Sequence, residues 1–184
     1  MRINKLKYLI RTIVIGVIVI STVVIWYKSI KPSAIQSDIA VEAILELNNT
    51  DINNYDEYLL NIKMTKNKNC QVAVYPYIEG LGNINFSKVD MEEYYLPGSI
   101  GSDGVTESIA ITQLKNNNLI ENRKNVSLCG FWFPYEVGEY KSKVYLDKFD
   151  TFKKIKNPVL VCVYTENKYG KELKWSKIVP ITIR

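Results

Sequence analysis

Cys70, Cys129 and Cys162, thirteen Tyr and no His bound the chemistry open to this chain. Without an imidazole there is no Ser–His or Cys–His nucleophile pair, no zinc-hydrolase site of the usual kind and no acid–base group titrating near neutrality. No Gly-rich phosphate loop, no CxxC pair and no carboxylates at calcium-loop spacing are present. The pair Glu92-Glu93 points to opposite faces if extended and reads as solvated charge. An enzyme here would have to run on carboxylates, Tyr or Lys alone, so the expectation is a protein that is not an enzyme and holds no metal or cofactor.

The aromatic clusters Tyr75-Pro-Tyr77, Tyr94-Tyr95 and Phe131-Trp-Phe-Pro-Tyr135 point instead to binding. On alternating strands half of such rings face outward, and exposed aromatics beside Gly-containing loops suit a protein-binding surface. The competing reading is that Tyr fills a β-rich core with its hydroxyl at the rim. Tyr94, Tyr95, Trp132 and Tyr135 are the candidate binding residues. The three Cys sit in apolar, strand-like runs. They are either three buried thiols or one disulfide and a leftover thiol, and their positions leave all three pairings open.

What must position these residues begins with an anchor. From Thr12 to Tyr27 the chain carries no charge, and Arg11 and Lys28 flank the run. As a helix these residues span roughly 24 Å at 1.5 Å per residue, which Tyr8-Leu9-Ile10 extends toward a hydrocarbon core of about 30 Å. Lipid offers no partner to an open strand edge, so this β-branched run must close its hydrogen bonds as a helix. Arg2, Lys5, Lys7 and Arg11 precede it while only Lys28 and Lys31 follow closely. The expectation is a cytoplasmic tail (residues 1–11), a transmembrane helix (12–27), a tether (28–37) and a periplasmic or extracellular domain (38–184). A cleaved signal peptide is the rival; Pro32, two residues before the candidate cleavage residue Ala34, argues against it.

The charge agrees with this division. The whole chain is +5, yet residues 32–184 hold 18 basic and 19 acidic side chains, so the basicity belongs to topology and not to nucleic-acid binding. In that domain the hydrophobic period becomes two. Val41–Leu47, Tyr58–Met64, Cys70–Ile78, Glu107–Leu114, Val126–Phe133, Tyr140–Leu146, Pro158–Thr165 and Leu173–Ile183 read as strands. Asp51–Glu57 reads as a short helical turn, Asn67–Asn69 and Glu166–Gly170 as hairpin turns, and Glu79–Asp90 and Leu96–Thr106 as long loops of the kind that carry function. The fold class is all-β, an antiparallel sandwich, with a small β-barrel as the alternative.

Pro158–Gly170 followed by Trp175–Ile183 resembles the final hairpin of fibronectin type III and immunoglobulin-like sandwiches. Asn69-Cys70-Gln-Val-Ala-Val-Tyr-Pro76, Leu128-Cys129-Gly-Phe-Trp-Phe-Pro-Tyr-Glu-Val-Gly138 and Tyr140–Leu146 are similar to the periplasmic β-sandwich proteins proposed as type VI secretion immunity factors. That resemblance implies a Cys70–Cys129 disulfide and a partner that is a secreted toxin or effector, blocked by occlusion. A lipoprotein signal would be usual there, where this chain has an apolar helix. The alternatives from other classes are a membrane-anchored small-molecule sensor with a ligand pocket in a barrel, and a structural subunit of an envelope complex.

Overall fold

The computed structural model describes residues 2–48, 57–79, 86–91, 104–121, 126–146 and 155–184. These fall into two compact units, residues 1–32 with Glu166–Leu173, and residues 33–165 with Lys174–Arg184. The first is dominated by helix α1 (Arg2–Ser29), whose stretch Ile10–Ser29 is long and apolar enough to cross a membrane. Both of its threonines turn back on the helix: Thr12 Oγ1 donates to the Tyr8 carbonyl at 3.0 Å and Thr22 Oγ1 to that of Ile18 at 2.9 Å. From Thr12 to Tyr27 the helix surface carries no charge, and these two hydroxyls have partners within the helix.

The second unit is a sandwich of two sheets. Strands β1 (Ile39–Asn48), β2 (Glu57–Lys66), β4 (Phe86–Met91), β6 (Gly138–Leu146) and β9 (Thr182–Ile183) form one, in the order β4-β6-β2-β1-β9. Strands β3 (Val72–Glu79), β5 (Phe131–Phe133), β7 (Lys156–Lys168) and β8 (Lys171–Pro180) form the other, in the order β5-β3-β7-β8. Pairing is antiparallel from Ile39↔Lys66 through Asn48↔Glu57, but β9 lies parallel to β1. The sheets are thus antiparallel-rich and separate, which corrects the barrel alternative.

Period two sets what each face buries. Leu45, Leu60, Ile62 and Met64 meet Val72, Val74, Phe131, Phe133, Leu160 and Cys162 in the core between the sheets. The outer face of the five-stranded sheet is solvated, with Asn61 donating to Glu46 at 3.0 Å and Lys63 paired with Glu139 at 3.1 Å. The four-stranded sheet differs, because every residue from Val72 to Ile78 and from Val159 to Tyr164 is buried. Its second face, Ala73, Tyr75, Tyr77, Val159, Val161 and Val163, is covered by a helix, α2 (Gly104–Asn116).

That helix overturns the strand expected at Glu107–Leu114. Thr106, Ala110 and Leu114 recur every fourth residue and are the buried ones, which is the period of a helix. Tyr75 Oη and Thr106 Oγ1 lie 2.5 Å apart, Tyr77 Oη donates to the Leu119 carbonyl at 3.0 Å, and Glu107 Oε1 accepts from the Leu128 amide at 2.7 Å. The helix is held at both ends.

Other expectations also shift. Strand β4 takes up the second half of the segment expected as the loop Glu79–Asp90 and runs on to Met91. Asn67–Asn69 joins strands of different sheets and is therefore a corner, not a hairpin turn, whereas Tyr169-Gly170 does turn β7 into β8. Residues 51–56 and 92–103 lie outside the described residues, and with them most of the short helical turn and of the second long loop. The sandwich begins at Ser33, ahead of the expected boundary. Ala34 is buried and its carbonyl accepts from Trp175 Nε1 at 2.8 Å, while Gln36 Nε2 donates to the Ser176 carbonyl at 3.0 Å.

The Cys70–Cys129 disulfide is not formed, nor any other. The Cys70 amide donates to the Tyr135 carbonyl at 2.7 Å, which sets Cys70 six residues along the chain from Cys129. The pairing Val72↔Phe133 through Val74↔Phe131 sets Cys70, ahead of Val72, at one end of the β3–β5 pair and Cys129, ahead of Phe131, toward the other, where a disulfide would need the two Cα atoms within about 7 Å. Cys162 lies across from Val74 on the far side of β3 from β5, two strand spacings away from the strand that follows Cys129. Unfolded without reductant, the protein should therefore take up three alkyl groups per chain by mass; uptake of one would restore a disulfide.

Gly130 marks a close approach. A Cβ there would run into the Tyr75 ring at Cε1 and lie 2.8 Å from the Val74 carbonyl oxygen. Gly130→Ala should cost about 1–3 kcal/mol by overpacking, read as a lower urea midpoint at unchanged slope.

Candidate protein-interaction turn

The segment Phe131-Trp-Phe-Pro-Tyr-Glu-Val-Gly138 is built by alternation and then stopped by proline. Phe131 and Phe133 enter the core between the sheets, and their ring centroids lie 5.6 Å apart. Trp132 points the other way, half-buried against the cluster under α2. Pro134 has no N–H to continue a ladder, so β5 ends at Phe133 and the chain turns into β6.

That turn is fastened from behind. Lys66, the last residue of β2, is only 1% exposed. Its Nζ donates to the Cys70 carbonyl at 2.8 Å and to the Pro134 carbonyl, and lies 5.0 Å from the centroid of the Tyr140 ring. The Tyr135 carbonyl takes the Cys70 amide, the Glu136 carbonyl accepts from Tyr140 Oη at 2.9 Å, and the Val137 amide donates to Asn69 Oδ1 at 2.8 Å. Gly138 then pairs with Lys66 across the sheet. Each residue from Pro134 to Val137 thus has a backbone group held. Facing out are two apolar side chains, Tyr135 at 57% and Val137 at 54% exposure.

The electrostatics follow from burial. Desolvation holds the Lys66 amine below the usual lysine range, opposed by its attraction to Cys70 and Glu136. Burial pushes the Cys70 thiol up, against the pull of Lys66, and pushes the Cys162 thiol up to about 12. Neither is a thiolate near neutrality, so neither is poised as a nucleophile. Among the described residues no three of His, Cys, Asp and Glu gather where a metal ion could be held.

Of the residues singled out in the sequence, Tyr135 is exposed on the turn, Trp132 packs beneath α2 and is not a free surface ring, and Tyr94 and Tyr95 lie outside the described residues. The sequence reading missed Lys66, although the signal is there. Tyr58, Leu60, Ile62 and Met64 are the inward set of β2, and the next inward position is 66. A lysine at that position announces a buried ammonium that needs acceptors. A polar groove of about 330 Å³ also runs between α2 and β8, lined by Ser108, Thr112, Gln113, Asn116 and Lys174 among others. The Ser176 hydroxyl meets Gln113 Oε1 there at 3.0 Å.

No family model matches the chain, and no curated protein matches it. Among solved structures, the collagen adhesin from S. aureus aligns with 83% of this chain and 50% of its own, at 15% identity and a TM-score of 0.37. A structure of manganese lipoxygenase of Gaeumannomyces graminis with part of zonadhesin of Komagataella pastoris aligns with 76% of this chain and 46% of its own, at 9% identity and a TM-score of 0.31. The chain thus spans about half the length of each, and neither likeness carries an argument.

Proposed function

We propose that this protein is a single-pass membrane protein whose immunoglobulin-like sandwich lies outside the cytoplasm and binds another protein through the turn at residues 134–138. The apolar stretch Ile10–Ser29 supports the anchor, and the Lys/Arg excess ahead of it supports the orientation. The observation that carries the binding role is the pinned turn. A backbone held by Lys66, Cys70, Asn69 and Tyr140 loses little further entropy when a partner seats on Tyr135 and Val137, the arrangement that favours affinity. A core filled from both sheets favours this reading over a barrel sensor.

The narrower version, neutralisation of a secreted effector by occlusion, rests on the sequence resemblance, whose implied disulfide is not formed. The reading is tested by fusing a reporter active only outside the cytoplasm after Arg184, which should be active, and by capture with the full-length, detergent-solubilised protein. A discrete partner should co-purify with the wild type and be depleted with Tyr135→Ala/Val137→Ala. Equal recovery with both would remove the turn from the proposal, and an active cytoplasmic reporter would remove the topology.

A further inference from the structure

The β7–β8 hairpin tip, Glu166–Leu173, belongs to the same compact unit as α1. Lys168 Nζ lies 3.4 Å from the Lys31 carbonyl, just past the helix C-terminus. That end of the helix bears Trp26 and Tyr27, both exposed, with Lys31 folded back 4.1 Å over the Tyr27 ring and donating to its hydroxyl. Aromatic rings followed by lysines are what a helix shows where it leaves the hydrocarbon for the headgroups.

The tip has the same composition. Tyr169 and Gly170 take φ of 52° and 75°, the pair of positive values of a tight two-residue hairpin turn. The turn holds Tyr169 out at 77% exposure between Lys168 and Lys171. A tyrosine accepts φ above zero less readily than Asn or Gly, so local propensity does not explain it there. Across residues 28–32 and 166–173, Lys28, Lys31, Lys168 and Lys171 stand against Glu166 and Glu172, a net +2. The remainder of the domain is acidic on balance.

We propose that this hairpin tip is a second membrane contact, with Tyr169 seated at headgroup level and Lys168 and Lys171, beside Lys28 and Lys31, facing the phosphates of anionic phospholipid in the bilayer that holds α1. The proposal rests on reading α1 as a bilayer span. Lysines near an anionic surface gain from its potential over about a Debye length, and Lys168 is brought within that range by its contact with Lys31.

The test uses the full-length protein with Cys129→Ser and a nitroxide on Tyr169→Cys, in nanodiscs of zwitterionic lipid with or without phosphatidylglycerol. Collision with oxygen, which concentrates in lipid, is compared with collision with a water-soluble nickel chelate. With the anionic lipid, nickel accessibility should fall roughly threefold while oxygen accessibility rises, and Lys168→Glu/Lys171→Glu should reverse both changes. A nitroxide equally open to nickel in both lipids, on protein that remains with the discs, would overturn the hairpin contact and leave the anchor standing. Protection from both reagents would overturn it in favour of a protein contact. Protein that does not remain with the discs would overturn the anchor itself, and the lipid contact with it.

Discussion

Lys66→Ala should lower the stability of the sandwich by about 2–4 kcal/mol and abolish partner binding in the same variant. The change removes a buried side chain and strips the Cys70 and Pro134 carbonyls of their donor. Loss of packing costs about 2–5 kcal/mol for a side chain of this length and a buried acceptor left without its donor about 1–3 kcal/mol, offset in part because an ammonium need no longer be desolvated. Lys66→Met separates the two effects. It keeps most of the stem and relieves the desolvation of an ammonium, so its stability should recover much of the loss. Its turn is still unpinned, so binding should not recover. The amine also carries a pH signature. Because burial holds its folded pKa below the value in the unfolded chain, the unfolded state carries the extra proton between the two. Wild-type stability relative to Lys66→Met should therefore rise as pH climbs toward about 10.5, seen in paired urea midpoints at neutral and alkaline pH. A difference that falls over that range would contradict the buried, desolvated amine.

Tyr135→Ala should weaken partner binding by about 1–4 kcal/mol, with Val137→Ala adding a smaller loss and both leaving the melting temperature nearly unchanged. The direction of each effect follows from exposure. More than half of either side chain is in solvent, so truncating it removes little from the folded state. The backbone that fixes them is held by other residues. Trp132→Ala should behave in the opposite way, lowering stability through the cluster under α2. Loss of stability with spared binding at Tyr135 would make that ring a packing residue and end its role as an anchor.

Much of this fold is legible in the sequence because one-sided burial writes period two. β1, β2 and β6 show it plainly. The four-stranded sheet is harder, since Val72–Ile78 and Val159–Tyr164 are buried on both faces and their periodicity is lost. Two such runs in an all-β chain imply a further layer over one face, which is the signal for α2. In Glu107-Ser-Ile-Ala-Ile-Thr-Gln-Leu114 the apolar residues fit a strand for a few positions, and only the four-residue recurrence of Thr106, Ala110 and Leu114 distinguishes the helix. The candidate turn is legible only in part. Tyr135 follows a proline that ends a strand, but its exposure depends on Lys66, which is 69 residues away in sequence and joined to it only through the fold. The cysteine positions left every pairing open because register, not spacing, decides which of them meet.

The most direct measurement places a photoreactive phenylalanine analogue at position 135 of the full-length protein in the cells that make it, with Asn118, exposed in the turn after α2, as the control position. The account predicts one discrete heavier adduct from position 135 and none from position 118. Identical patterns from both positions, or no adduct from 135 under conditions where the partner is captured, would contradict it.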